Sequence, residues 1–253
     1  MVTASGLTAG SLRQPRSPKT SERVARDLVS HIIDNNLAEG TKLPNEKQLA
    51  EVFQVGRTTL REALRLLETH GVIIIRPGPG GGPVVRRPRA DDLRESLTLI
   101  LQFNESSLLD VLEARTALEP MMARLAAARL TEEQLDELAA SVARMRKFNN
   151  DHDVFLEENR FFHSTIAEAT GSHVLWVFNE TLKSIADGVI LGVEYTGRRR
   201  TAVAAALENV LAALRARDAE AAATAMLAHI GEASEYWRRK YPDLVSRGIR
   251  WVH

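Results

Sequence analysis

The 253-residue sequence contains no cysteine, so it has neither a disulfide nor a thiolate–metal framework, which fits a reducing compartment. It has no apolar run approaching the roughly 18 residues that cross a bilayer. The stretch Met1–Thr20 is rich in Ser, Thr, Gly and Pro and lacks the apolar centre of a secretory signal. It is expected to be a disordered tail on a cytoplasmic protein. No charge sign dominates, with 33 basic and 33 acidic residues. That balance hides an asymmetry. Residues 1–90 carry 14 Lys/Arg against 8 Asp/Glu, and the remainder carries 19 against 25. A basic first third on an acidic remainder suggests nucleic acid bound at one end. A hydrophobic fraction of 44% excludes a disordered chain, and the length suggests two domains.

The basic third has a legible order. Val24, Leu28 and Ile32 recur every four residues, predicting a helix over Ser21–Asn36 with Ser21 as its cap. Asn45 and Gln48 have the spacing of a capping box and open a second helix. After a turn at Gln54–Gly56, a third helix runs from Arg57 to His70, and Gly71 ends it. Leu60, Ala63, Leu64 and Leu67 form its buried face, while Arg57, Arg61 and Arg65 form a basic stripe with Thr58 and Thr59 in the first turn. Val72–Arg76 and Val84–Val85 flank a Gly/Pro-rich loop and read as a hairpin.

Three arginines on a helix ordinarily mark a solvated face. A Gly-rich loop can cradle phosphate, but here no Gly-Lys-Ser/Thr and no helix follows it. The hydroxyls, the turn spacing and the hairpin together favour a winged helix-turn-helix, with the third helix in the major groove and the hairpin tip at the backbone or minor groove.

Residues 24–85 resemble the winged-helix domain of GntR-family bacterial transcription regulators. The resemblance rests on Gly40–Glu46, Val55–Leu64, Leu67-Glu68 and Gly71-Val72. It implies DNA contacts from Lys47, Arg57, Thr58, Thr59, Arg61 and Gly78. Gly56 stands where many relatives have Ser, which removes a hydroxyl–phosphate contact and leaves the cap.

Past a linker at residues 87–91, the chain reads as helices near 91–103, 107–129, 131–148, 152–170, 172–192, 198–216 and 219–240, with a tail at 242–253. The expected fold class is therefore mainly α: a winged helix-turn-helix domain over 21–86, then an all-α antiparallel bundle of six to seven helices over 92–241. Arg115, Glu119, Asn159, His163 and His229 fall on or beside inward faces, implying paired core groups or a polar cavity.

The segments Leu112–Pro120, Asn159–His163, Ala213–Asp218 and Met226–His229 resemble the FCD effector domain of the FadR-type branch of the same family. That resemblance implies a homodimer on a palindromic DNA operator, and an effector that is a small acid or an acyl-CoA. The effector would bind at Arg115, Glu119, Asn159, His163 and His229, and would bias the winged domains through the linker.

The resemblance also implies a divalent metal, Zn or Ni, at Asn159, His163 and His229, with a fourth position that here is Leu207. Leucine ligates nothing, so a metal-free cavity offering donors to an anion is the competing expectation. A helical-bundle metalloenzyme using Glu157 with these residues lacks the paired Glu-x-x-His motifs such bundles need, so no enzyme is expected. An architectural DNA-binding dimer with a dry bundle is the remaining alternative.

Overall fold

The computed structural model describes residues 19–78, 80–187 and 192–250. The chain divides into two compact units, residues 1–92 and 93–253. Apart from Lys19 and Thr20, the expected N-terminal tail lies outside the described residues.

The first unit holds α1 (Thr20–Asp34), α2 (Glu46–Val52), α3 (Arg57–Thr69) and the strands β1 (Ile73–Arg76) and β2 (Gly82–Val85). The four-residue stripe of α1 buries Val24, Leu28 and Ile32. Ser21 is not its cap: the helix starts a residue earlier, Lys19 takes the cap position without a side-chain bond, and Ser21 is buried in the first turn. The capping box of α2 is present, Asn45 and Gln48 each bonding the other's backbone N–H at 3.0 Å. Gly56 caps α3, whose Leu60, Ala63, Leu64 and Leu67 enter one core with Leu28, Ile73 and Val85.

The strands pair antiparallel, Ile73 opposite Val85 and Arg76 opposite Gly82. The segment before α2 joins β2 through Gly40 N–H to Val85 O and Val85 N–H to Thr41 O, both at 2.8 Å. Gly71 turns the chain from α3 into β1 at φ +69°. A Cβ there would lie 2.4 Å from Asp92 Oδ2. Asp92 is itself held by Arg86 Nη1 at 2.8 Å and by the Arg89 backbone N–H at 2.7 Å. Both the backbone and the space therefore require glycine.

The remaining helices are α4 (Ala90–Phe103), α5 (Leu108–Ala127), α6 (Glu132–Lys147), α7 (His152–Ala169), α8 (His173–Ile185), α9 (Gly197–Arg215), α10 (Ala219–Lys240) and α11 (Pro242–Ser246). The division between units falls within α4, and helix already begins at Ala90 inside the expected linker. One cluster buries Met122, Leu138, Phe162, Ile166, Leu207 and Met226 among α5, α6, α7, α9 and α10. A second gathers Leu108, Leu112, Leu182, Trp237 and Val245.

Two further expectations are corrected. The helix expected over 172–192 stops at Ile185, with Ala186 and Asp187 already non-helical and residues 188–191 outside the described part; Val193–Thr196 are non-helical, as the expected break there implies. The non-helical run lets Val193 bury and sets the Tyr195 ring 5.3 Å from Phe155. The expected tail over 242–253 instead begins as α11. Pro242 sits in its first turn, where a missing N–H costs nothing, and Val245 is buried. Beyond α11, the Ile249 N–H donates to Ser106 O at 2.9 Å.

Candidate nucleic-acid interface and effector cavity

Burial of Leu60, Ala63, Leu64 and Leu67 leaves the opposite face of α3 free. Arg57, Thr58, Arg61 and Arg65 are exposed there, and Thr59 is half-exposed. Lys47 is exposed on α2 and lines, with Arg57, an open groove of about 400 Å³ across the α2–α3 turn. Gly78 is exposed in the hairpin loop at φ +91°. All six residues expected at DNA thus lie at the surface of one unit. Glu46 was not anticipated: its Oε2 accepts the Nε–H of Arg61 at 2.8 Å. No short-range spacing signals that pair, because the residues sit on different helices.

The second candidate site is a chain of buried polar groups. Arg115 Nε donates to Glu119 Oε1 at 2.7 Å, the i, i+4 contact that α5 makes available. The other carboxylate oxygen lies 2.6 Å from His163 Nδ1 on α7, off the line of a hydrogen bond, so the contact is an ion-pair approach. His163 Nε2 meets His229 Nε2 of α10 at 3.2 Å, with the rings stacked. Burial alone would raise the Glu119 pKa, but the Arg115 guanidinium and His163 more than offset it and hold Glu119 well below the usual carboxylate range. Burial, and then the charge of His163, push His229 down to about 3. A neutral His229 can share one proton with His163 across the Nε2–Nε2 contact, the two tautomers deciding which ring donates.

A cavity of about 50 Å³ opens beside this chain. Arg115, Asn159, His163 and His229 line it, together with Phe155, Tyr195 and Trp237. Trp237 Nε1 donates to Tyr195 Oη at 3.0 Å, leaving the Tyr195 proton available, and burial raises the pKa of that phenol. Sequence reasoning missed Tyr195 and Trp237: Tyr195 lies in the expected break between residues 192 and 198, where no periodic face marks an inward side chain. Glu119 does not line the cavity but backs it through Arg115 and His163.

The donor set does not fit a metal. Leu207 is fully buried in the apolar core, in line with Val203 and Val210. That leaves two imidazoles and one amide where closed or catalytic sites supply at least three good ligands. Glu119 faces the wrong nitrogen of His163 and is engaged by Arg115. Among the described residues no group of three His, Cys, Asp or Glu is placed to hold an ion.

Residues 20–81 match the bacterial regulatory proteins of the gntR family, and residues 110–232 match the FCD domain. A relative from Escherichia coli strain K12, named as a regulator of the L-lactate dehydrogenase operon, is 30% identical over 84% of this chain and 84% of its own length. The transcriptional repressor NanR of Citrobacter rodentium is 27% identical over 87% of this chain and 85% of its own. Among solved structures, Streptococcus agalactiae GntR is 29% identical with a TM-score of 0.67, covering 85% of this chain and 99% of that one. No helix among the described residues is long and apolar enough to cross a membrane. The chain belongs to the GntR family of bacterial regulatory proteins: it is a ligand-responsive, DNA-binding transcription regulator with an FCD domain, not an enzyme.

Proposed function

We propose that the chain acts in the cytoplasm as a homodimeric repressor, released from a palindromic operator by a small acidic metabolite. The observation that carries the DNA reading is the exposed Arg57, Thr58 and Arg61 on α3, backed by its apolar face. Arginine pairs bidentately with guanine O6 and N7, and threonine bonds phosphate or touches the thymine methyl. Lys47, Thr59 and Gly78 contribute backbone contacts in this reading. Two copies would present two α3 helices to successive major grooves, which is the geometry of a palindrome.

The effector reading rests on the balance of donors in the cavity. Arg115, Asn159 and Tyr195 offer N–H and O–H groups, no carboxylate is among the described lining residues, and Glu119 behind them is engaged by Arg115. Such a lining favours an anion. About 50 Å³ is far below the roughly 300–1,000 Å³ of pockets that enclose drug-sized ligands. A small hydroxy acid suits this volume, and an acyl-CoA would require the bundle to open. The name of the Escherichia coli relative makes L-lactate the first acid to try. The acid weakens operator binding only if it binds the DNA-free conformation better.

The test is an anisotropy titration of operator duplex at fixed salt, with Arg57→Ala and Arg115→Ala beside the wild type. Arg57→Ala is expected to lose specific binding. Arg115→Ala is expected to keep it and lose release by the acid. Unchanged operator affinity and specificity in Arg57→Ala would refute the DNA reading.

A further inference from the structure

We propose that Glu46 is a positioning residue for DNA readout: it holds the Arg61 guanidinium in one orientation and thereby sets sequence discrimination at the base pair Arg61 meets. The inference rests on the reading that Arg61 faces the operator.

An arginine that is 62% exposed on a helix surface samples many rotamers, and fixing one costs entropy. Glu46 Oε2 takes the Nε–H of Arg61 at 2.8 Å. Nε is the inner nitrogen of the fork, so this bond leaves the paired Nη atoms free. Those two nitrogens can then act together on guanine O6 and N7. Glu46 is itself well placed to hold them. It is the first residue of α2, directly after Asn45, and the reciprocal Asn45–Gln48 bonds fix that helix start. In free protein an exposed ion pair is weak. Docking on DNA would remove water from it and strengthen the hold.

The carboxylate has a second effect of opposite sign. It partly cancels the Arg61 charge and repels phosphate, so it lowers sequence-independent attraction. Removing Glu46 therefore weakens discrimination without weakening nonspecific binding. A purely structural role, with Glu46 opposing the dipole at the start of α2, would instead lower fold stability and reduce both kinds of binding together.

The test uses the full chain, a random-sequence duplex library and a shuffled control duplex. Wild type, Glu46→Ala, Glu46→Gln, Arg61→Ala and the Glu46→Ala/Arg61→Ala double variant are compared at one salt concentration. Arg61→Ala is expected to erase the preference at one position of each half-site. Glu46→Ala should reduce the preference at that same position by about fivefold to tenfold. Its affinity for the shuffled duplex should be equal or higher. Glu46→Gln keeps an acceptor and should recover part of the preference. In the Arg61→Ala background, Glu46→Ala should change nothing further at that position. The inference is overturned if Glu46→Ala leaves the preference intact, lowers both bindings alike, or acts equally without Arg61. If a folded Arg61→Ala variant keeps every preference, Arg61 reads no base, and the interface reading falls together with this one.

Discussion

His163 and His229 come from helices α7 and α10 and face each other through their Nε2 atoms at 3.2 Å. One proton has to serve two nitrogens, so at least one imidazole stays neutral. His229 is that one, depressed to about 3 by burial and by His163. In the unfolded chain its pKa is near 6.5, so between these values the unfolded state binds the extra proton. Stability is therefore full above about pH 6.5 and falls as the pH drops toward 3. The loss has a slope on the order of 1 kcal/mol per pH unit from this group. Glu119, also depressed, adds a loss that begins below its unfolded value of 4.5. Urea midpoints from pH 8 to pH 4 should show the decline, and His229→Leu should flatten its upper part. A wild-type curve that is level from pH 7 to pH 5 would contradict the assignment.

The Arg115–Glu119 pair predicts a large cost for removing one partner. Their side chains are 15% and 4% exposed. Glu119→Ala leaves a guanidinium and an imidazole without their carboxylate, a change that typically costs about 3–5 kcal/mol. Equilibrium denaturation measures it, and a loss below about 1 kcal/mol would mean water already serves both groups.

Metal analysis of protein purified without chelator is expected to find no stoichiometric Zn or Ni, and EDTA should leave the melting temperature unchanged. Val203 lines the cavity and Leu207 lies one turn further along the same face of α9. Leu207→His should accordingly gain binding of Zn or Ni, detectable by calorimetry. Stoichiometric metal in the wild type would restore the set Asn159, His163 and His229 as ligands.

Gly56 predicts a gain. A Cβ there meets nothing within 4 Å, and its φ of −66° suits any residue. Gly56→Ser should add a hydroxyl cap worth a few tenths of a kcal/mol and a phosphate contact. Thermal melts and the salt dependence of operator affinity would both register it. Weaker binding to every duplex would count against α3 as the groove helix.

Much of the architecture was readable because it follows from periodicity and caps. The Leu60–Leu67 face, the Asn45–Gln48 box and the Gly71 stop are local signals and appear as expected. Misreadings arose where tertiary contacts overrode local preference. Helix α8 stops at Ile185, short of the expected 192, and Val245 pulls the end of the chain onto the bundle. At the cavity wall, Arg115 and the Glu119 behind it were legible together because they are four residues apart on one helix. His163 and His229 are 66 residues apart, so periodicity read only their separate inward faces, and it was the family resemblance that set them in one site. The Glu46–Arg61 bond has no sequence signature, since charges at that separation pair only through the fold.

Gly71 has a practical meaning for genetics. Its missing side chain is the vacancy that Asp92 fills, and Asp92 in turn anchors Arg86 and the Arg89 amide. A single added methyl would evict that carboxylate and loosen the return from hairpin to α4. In a screen for operator-blind mutants, Gly71 substitutions should therefore surface beside those at Arg57, though residue 71 lies in a buried turn and touches no nucleotide in this reading. Thermal melts would tell the two groups apart: Gly71 variants unfold early, and Arg57 variants melt like the parent.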